Sequence, residues 1–581
     1  MDKNNIIGFV LIAAFLIGFS WWNQPSEEEQ RKAYVEDSIA NVKKSEAAKT
    51  AKLANVQKSM EQRDSVLKDT SALLYHALNG KAQNIVLKNK NVELTLNTKG
   101  GTIVKAVIKN RRGHNLAVKD GSKDSKDLTL FDSKDQKLQF ALEAKETNIL
   151  TGDLFFTPSN VTDSTVTMTA KAGNGKSIVF DYVLGKDYML HMKFFVKGMN
   201  GLFSPGYNAM DVDWKDNCRQ QERGFTFENR YATLTYHNVA GGTDNLSETS
   251  EKIDEKIEDP IDWVAFKNQF FSAVIIAKND FHKDALLTSI PTEKGTGYLK
   301  SYQAKMKTFF DPSGSKPSEF DFYYGPNDFR LLQKVEKEST FGKDLQMQKL
   351  VYLGIPIFRL INRWFTLYVF DWLSKMGLSM GVVLILLTLL LKFITYPMVK
   401  KSYMSSAKMR VLRPKLDAAT AQFSKPEDQM QKQQAMMAEY SKYGVSPLSG
   451  CLPMLIQMPI WLAMFNFVPN AIQLRDQSFL WIHDLGTIDP IFEWGSSIWL
   501  IGDHISLTSI LFVISNIVYS WFTMQQQKDQ MVGQADQMKM MQWMMYIMPL
   551  FFFFVFNDYS AGLNFYYFIS LLFSAIIMWV L

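Results

Sequence analysis

Residues 378–401 read LSMGVVLILLTLLLKFITYPMVKK. The run from Met380 to Leu391 is apolar except for Thr388. Lys392 then interrupts, residues 393–399 are uncharged, and Lys400 and Lys401 close the stretch. An α-helix rises 1.5 Å per residue, so Lys392 lies roughly 12 Å from Lys400 along the axis. With Lys400 and Lys401 at a membrane surface, Lys392 sits inside a hydrocarbon core about 30 Å thick. A charge at that depth is costly and faces a wet cavity or a partner. The competing reading is a long side chain that snorkels to the headgroups. Either way the stretch predicts a membrane span, here residues 378–399.

On its C-terminal side, residues 400–446 form a polar insert with two helical patterns. Met404, Ala407, Val411, Leu412, Leu416, Ala419 and Phe423 make one stripe; Met430, Met437 and Tyr440 make another. The capping box Ser424-Lys425-Pro426-Glu427 between them predicts a helical hairpin. Nine Lys/Arg against four acids place this insert on the cytoplasmic side. Residues 447–469 are the next span, interrupted by Pro453 and Pro459 and carrying Gln457 and Asn466. Such residues need neighbours or water to satisfy freed polar groups. The loop 470–504 holds five acids and only Arg475, which predicts the opposite side of the membrane. Further spans follow at 505–524, with Asn516, at 541–556 and at 562–581; residues 525–540 form a short inner loop.

On the N-terminal side the chain is a different material. Of its 581 residues 21% are charged, but the charge is concentrated before residue 378 and the apolar runs after it. An apolar run, Ile6 to Trp22, is flanked by Lys3 and by Glu27, Glu28 and Glu29. Residues 1–25 therefore read as an anchor with its N-terminus in the cytoplasm, Trp21-Trp22 favouring an interfacial anchor over a cleaved signal peptide. Residues 26–81 are charged and alanine-rich, a helical or pliable linker. Residues 82–327 carry strand signals at short spacing: Val92 to Leu96 alternates, Lys99-Gly100-Gly101 turns, and two further alternating runs flank Gly173-Asn174-Gly175. They predict a large all-β, sandwich-like domain. In 328–377 a polar helical segment precedes an amphipathic one, with Phe358, Ile361, Trp364, Phe365, Tyr368 and Trp372 at helical spacing; such a helix lies in the membrane interface.

Several chemistries are disfavoured. Gly175-Lys176-Ser177 ends like a phosphate-binding loop, but Ala170 stands where that loop needs glycine, so a hairpin turn is expected. Cys218 and Cys451 support neither a disulfide framework nor a cysteine zinc site, and His114, His191, His237 and His282 lack ligand spacing. No HExxH occurs, and Gly444-Val445-Ser446-Pro447-Leu448 misses the second glycine of a nucleophile elbow. A polytopic transporter or channel with an outer domain is the alternative function, weakened by the absence of an internal repeat across the spans.

The residues of the last third resemble the YidC family of membrane protein insertases. The likeness runs through Lys392-Phe393-Ile394-Thr395-Tyr396-Pro397, Pro447-Leu448-Ser449-Gly450-Cys451-Leu452-Pro453, Leu455-Ile456-Gln457-Met458-Pro459-Ile460, Leu480-Trp481-Ile482-His483-Asp484-Leu485 and Ala561-Gly562-Leu563-Asn564-Phe565-Tyr566-Tyr567. The anchor and β-rich region are similar to the Gram-negative version. The resemblance implies a non-enzymatic insertase and chaperone of the inner membrane, with no cofactor. It implies six spans, a five-helix core and a large periplasmic domain. Its partners would be nascent membrane proteins, the lipid bilayer, the Sec translocon and the ribosome. It also implies a hydrophilic groove with one positive charge from the second span. Family members usually have arginine where this chain has Lys392; the charge is kept, the bidentate fork is not. Lys392, Gln457, Pro459, Asn466, Asn516, Asn564, Tyr566 and Tyr567 are the expected groove residues. The family often ends in a basic tail, which this sequence, ending at Leu581, does not include.

Overall fold

The computed structural model describes residues 74–113, 125–145, 148–173, 175–246, 251–423, 429–444, 452–498, 501–527 and 547–580. The expected anchor, most of the linker, the capping box, Cys451 and most of the inner loop 525–540 lie outside the described residues.

Alternation in the sequence becomes strands with one buried face. Strand β2 (Val92–Asn97) buries Val92, Leu94 and Leu96 and turns the residues between them outward. It lies between β1 (Asn84–Lys88) and β3 (Ile103–Ile108), and β4 (Leu128–Phe131) completes a four-stranded antiparallel sheet. A second sheet has fifteen strands, with Ala209–Arg219, Tyr298–Phe309, Phe271–Phe281 and Ser318–Pro326 at its centre. Strands Thr165–Gly173 and Lys176–Leu184 form a hairpin closed at Gly173 and Gly175, whose φ angles of +80° and +74° suit glycine. Gly175-Lys176-Ser177 is thus a hairpin turn. The Tyr182 hydroxyl of the large sheet donates to the Gly101 carbonyl at 2.8 Å, linking it to the small one. Phe140, Phe180 and Phe194 pack edge-on or tilted against one another within the core, with centroids 5.1–5.8 Å apart.

Helix α1 (Phe329–Glu338) leaves the sheets, capped by Asp328, which accepts from the Leu331 N–H at 2.9 Å. The amphipathic segment forms α2 (Pro356–Ile361), a π turn over Asn362–Thr366, and α3 (Leu367–Ser374). Ile357, Leu360, Trp364, Tyr368 and Trp372 stay exposed on it. Spacing of four drifts round an α-helix, and the wider π turn corrects that drift. Asn362, buried, donates to the Leu353 carbonyl at 3.0 Å and the Ala463 carbonyl at 2.7 Å, fastening the segment to the bundle.

The bundle consists of α4 (Met380–Thr420), α5 (Gln429–Lys442), α6 (Leu452–Phe467), α7 (Leu507–Gln527), α8 (Ile547–Phe556) and α9 (Ala561–Val580). Among the described residues, three helices are long and apolar enough to cross a membrane: Met380–Ser405 within α4, Leu507–Gln525 within α7, and α9. Within the described residues α6 and α8 are shorter. Helix α4 passes the expected boundary at residue 399 unbroken and becomes the first arm of the polar insert. The acidic loop holds structure the sequence did not announce: a β-hairpin of Pro490–Ile498 and Gly502–Ser506. Gly381 lets this loop close on α4, because a Cβ there would sit 2.0 Å from the Phe479 ring.

The β domain docks on the bundle through a buried polar seam. Arg475, its side chain fully buried, donates to Glu222 at 2.6 Å, to Asp476 at 2.8 Å and to the Arg112 carbonyl at 2.7 Å. Glu228 accepts from the N–H groups of Gln221 and Glu222 at 3.0 and 2.8 Å. Asp484 accepts from the Gly486 and Asp476 N–H groups at 2.7 and 3.0 Å. Burial pushes the Glu222 carboxyl up, Arg475 drawing it back only in part; burial pushes Asp484 up to about 6. Gln269 donates to the Pro469 carbonyl at 2.7 Å, and Arg230 hydrogen-bonds the Tyr559 hydroxyl while lying 4.7 Å from its ring.

Candidate functional site

Thr388, Lys392, Thr395, Val399 and Tyr403 recur at intervals of three and four and so share one face of α4. That face turns into the bundle: Thr388, Lys392, Thr395 and Val399 are all buried. Lys392 lies about 18 Å from Met380 along the helix, near mid-span. It is 9% exposed. Its Nζ donates to the Ser574 hydroxyl of α9 at 2.6 Å, and Ser574 in turn donates to the Ser570 carbonyl at 3.0 Å. Thr388 and Thr395 return their hydroxyls to their own helix, to Leu384 and Leu391 carbonyls at 2.7 and 3.0 Å. The amine is thus held by a neutral oxygen rather than by a carboxylate.

A cavity of about 10 Å³ adjoins the amine, lined among others by Thr395, Tyr403, Gln457, Tyr519 and Ser574, with no acidic residue in its wall. That volume is room for about one water. Four helices build it: α4, α6, α7 and α9.

Of the eight residues expected from the sequence, Lys392 and Gln457 share this cavity. Pro459 is half-buried two residues further along α6, about half a turn round the helix from Gln457. Asn466 sits at the far end of α6, donating to the Leu462 carbonyl at 2.6 Å, with Gly354 packed against it. Asn516, half-buried on α7, does not line the cavity. Asn564 is fully buried and donates to the Phe556 carbonyl at 3.0 Å, tying α9 to α8. Tyr567 donates to the Trp461 carbonyl at 3.1 Å and packs on that ring, with Tyr566 beside it. The cavity adds Thr395, Tyr403, Tyr519 and Ser574. The first two were legible as the polar continuation of the Lys392 face. Tyr519 and Ser574 carried only the weak signal of polar groups inside apolar spans.

Residues 372–581 match the family model described as 60Kd inner membrane protein, and residues 84–368 match the one described as YidC periplasmic domain. The chain is 50% identical over 583 residues to a protein of Phocaeicola vulgatus named Membrane protein insertase YidC, with 100% of this chain and 91% of that protein covered. It is 45% identical over 591 residues to a protein of the same name from Bacteroides fragilis, again covering 100% and 91%. A solved structure described as an active YidC insertase with the first transmembrane domain resolved shares 20% identity, covers 88% of this chain and 95% of its own, and gives a TM-score of 0.32.

Proposed function

The chain belongs to the YidC family of integral-membrane insertases, and on that premise we propose how its bundle handles a client. Lys392, Gln457, Thr395, Tyr403, Tyr519 and Ser574 form the closed floor of a hydrophilic groove. The observation that carries this reading is the mid-span Lys392 amine, buried, bonded to the Ser574 hydroxyl and faced by no carboxylate in its cavity. Asn466, Asn516, Asn564, Tyr566, Tyr567 and Pro459 then shape the helices around the groove.

A polar client tail entering hydrocarbon faces a steep desolvation cost. A groove that α4 and α9 open by parting at the Lys392–Ser574 bond keeps that tail wet while the apolar segment slides into lipid. Lys392 attracts acidic residues of the arriving tail. The distribution of Lys and Arg supports six spans with the polar insert in the cytoplasm and the β domain in the periplasm. The Sec translocon and the ribosome are proposed as partners on the family likeness.

The test is insertion of paired clients that differ only in tail charge. Lys392→Arg should retain insertion. Lys392→Ala should lower insertion of the acidic-tailed client roughly fivefold or more and the neutral one less, the difference shrinking as salt screens charges over about 8 Å. Equal insertion of both clients by wild type and Lys392→Ala would leave Lys392 as a snorkelling anchor.

A further inference from the structure

A larger cavity, about 450 Å³, lies where the β domain meets the bundle, among residues distinct from those around Lys392. Its walls carry charge of both signs: Arg223 and Lys294 from the β domain, Glu493, Asp503 and His504 from the loop hairpin, and Asp558 from the turn before α9. Part of this charge is already balanced. Lys294 pairs with Asp503 at 2.6 Å, and the His504 ring engages Asp503 at 3.0 Å and the Asn557 carbonyl at 2.9 Å. Burial works against ionisation of Asp503, yet those partners hold it below the usual carboxylate range. The rest makes no direct contact with an opposite charge. The Arg223 guanidinium and the Glu493 carboxylate, both exposed, and the half-buried Asp558 carboxylate have no hydrogen-bond or ion-pair partner among the described residues, although His504, Arg230 and Lys294 act on Asp558 from further off. Burial pushes the Asp558 carboxyl up despite His504 and Arg230 nearby.

The depth of the cavity narrows what fills it. The apolar helices begin at Leu507 and Ala561. Asp503 and His504 precede the first by three or four residues of strand, about 13 Å at most. Asp558 precedes the second by only three residues. The headgroup layer extends about 5–8 Å beyond the hydrocarbon on each side, so these residues lie in it or just outside it. The same hairpin exposes Ile491, Phe492 and Ile498, with Phe492 67% exposed. Large apolar side chains left bare beside the start of a span fit acyl chains and the membrane interface.

We propose that this cavity binds a phospholipid whose headgroup carries both a phosphate and a primary amine. The phosphate meets Arg223, whose planar fork matches phosphate oxygens. The ammonium meets Glu493 and Asp558. The apolar side chains of the hairpin lie along the lipid's acyl chains. An anionic lipid without an amine leaves two carboxylates unmet, and a simple cation leaves Arg223 unmet. The proposal rests on membrane boundaries at Leu507 and Ala561 and is independent of the role of Lys392.

Native mass spectrometry of the delipidated full-length protein, titrated with phosphatidylethanolamine, phosphatidylglycerol or soluble glycerophosphoethanolamine, tests it. Phosphatidylethanolamine should bind about tenfold more tightly than phosphatidylglycerol, and Arg223→Ala and Asp558→Asn should each remove about tenfold. Phe492→Ser should weaken the lipid and leave the soluble headgroup unchanged. Glu493→Gln, at an exposed position, keeps the test open if the Asp558 variant fails to fold. Equal binding of the two lipids, or retention unchanged in the charge variants, would overturn the proposal. So would a soluble headgroup that binds as tightly as the lipid. A short Lys–Asp peptide that binds with the same residue dependence, where phosphatidylethanolamine does not, would overturn it in favour of a client tail.

Discussion

The two ends of the bundle are held by different physics. At one end the β domain meets the loop 470–504 through Arg475, Glu222, Glu228 and Asp484, all buried and hydrogen-bonded. At the other, the arm of α4 beyond Lys400 and helix α5 form a hairpin whose apolar cluster is Leu416 and Tyr440 with Leu412 and Met436 half-buried beside them. Val411 and Met430, in the stripes that sequence periodicity assigned to packing, are 79% and 73% exposed. A seam of buried charge is intolerant of change because each partner left alone is a desolvated ion. A hairpin whose cluster among the described residues is this small is expected to open at low cost. The seam should therefore hold the β domain in one pose on the bundle, while the hairpin should move more readily.

Removing Arg475 is the hardest blow to this contrast. Arg475→Met leaves Glu222 and Glu228 without their buried cation and should cost about 3–5 kcal/mol. Chemical denaturation of the full chain in micelles, followed through the tryptophans of the β domain, reads it. A midpoint close to wild type would mean that the seam is no firmer than the hairpin.

Proton uptake should change the same seam by less. Asp484 holds its proton in the folded protein up to about pH 6, whereas an unfolded aspartate releases it near pH 4. Between those values the native state binds more protons, so stability falls as pH rises through about 6 and is fully regained only below about 4. Burial acts in the same direction on Glu222 and Glu228, with Asp476 and Arg475 facing them. The Asp484 contribution is at most about 3 kcal/mol. Melting temperatures of the full chain should therefore rise from pH 8 to pH 5, and Asp484→Asn should flatten that slope. An unchanged slope in the variant would locate the titration elsewhere.

The smallest effect belongs to the hairpin. Leu416→Ala should alter global stability by less than about 1 kcal/mol, because its cluster is separate from the main core. Hydrogen exchange across residues 400–444 should accelerate several-fold, while exchange in the β domain stays the same. A loss comparable with that of Arg475→Met would erase the difference between the two ends.

These experiments also bear on what could be read in advance. The Lys392 face was legible because Thr388, Lys392 and Thr395 follow the helical repeat, and so was the first β-meander, because Val92 to Leu96 alternates. Arg475 was visible only as the lone cation of an acidic loop, a clue to sidedness and not to burial. Asn564, Tyr566 and Tyr567 stand in a motif shared with the family, yet the bundle uses Asn564 to join α9 to α8 and Tyr567 to join it to α6, with Tyr566 beside Tyr567.

The sequence by itself determined the division into a β-rich part and an apolar helical part, the amphipathic helical segment before the bundle, and an ionisable group near the middle of a long apolar helix. Each of these follows from backbone geometry, which imposes periods of 2 and 3.6 residues and a fixed rise per residue on any local pattern. Only the tertiary structure decided that Ser574 receives the Lys392 amine, that Glu222 receives Arg475, and that the hairpin 490–506 walls a charged cavity with the β domain. Those partners are separated by scores to hundreds of residues. No local repeat encodes which distant side chain arrives; packing and the desolvation of charge select it.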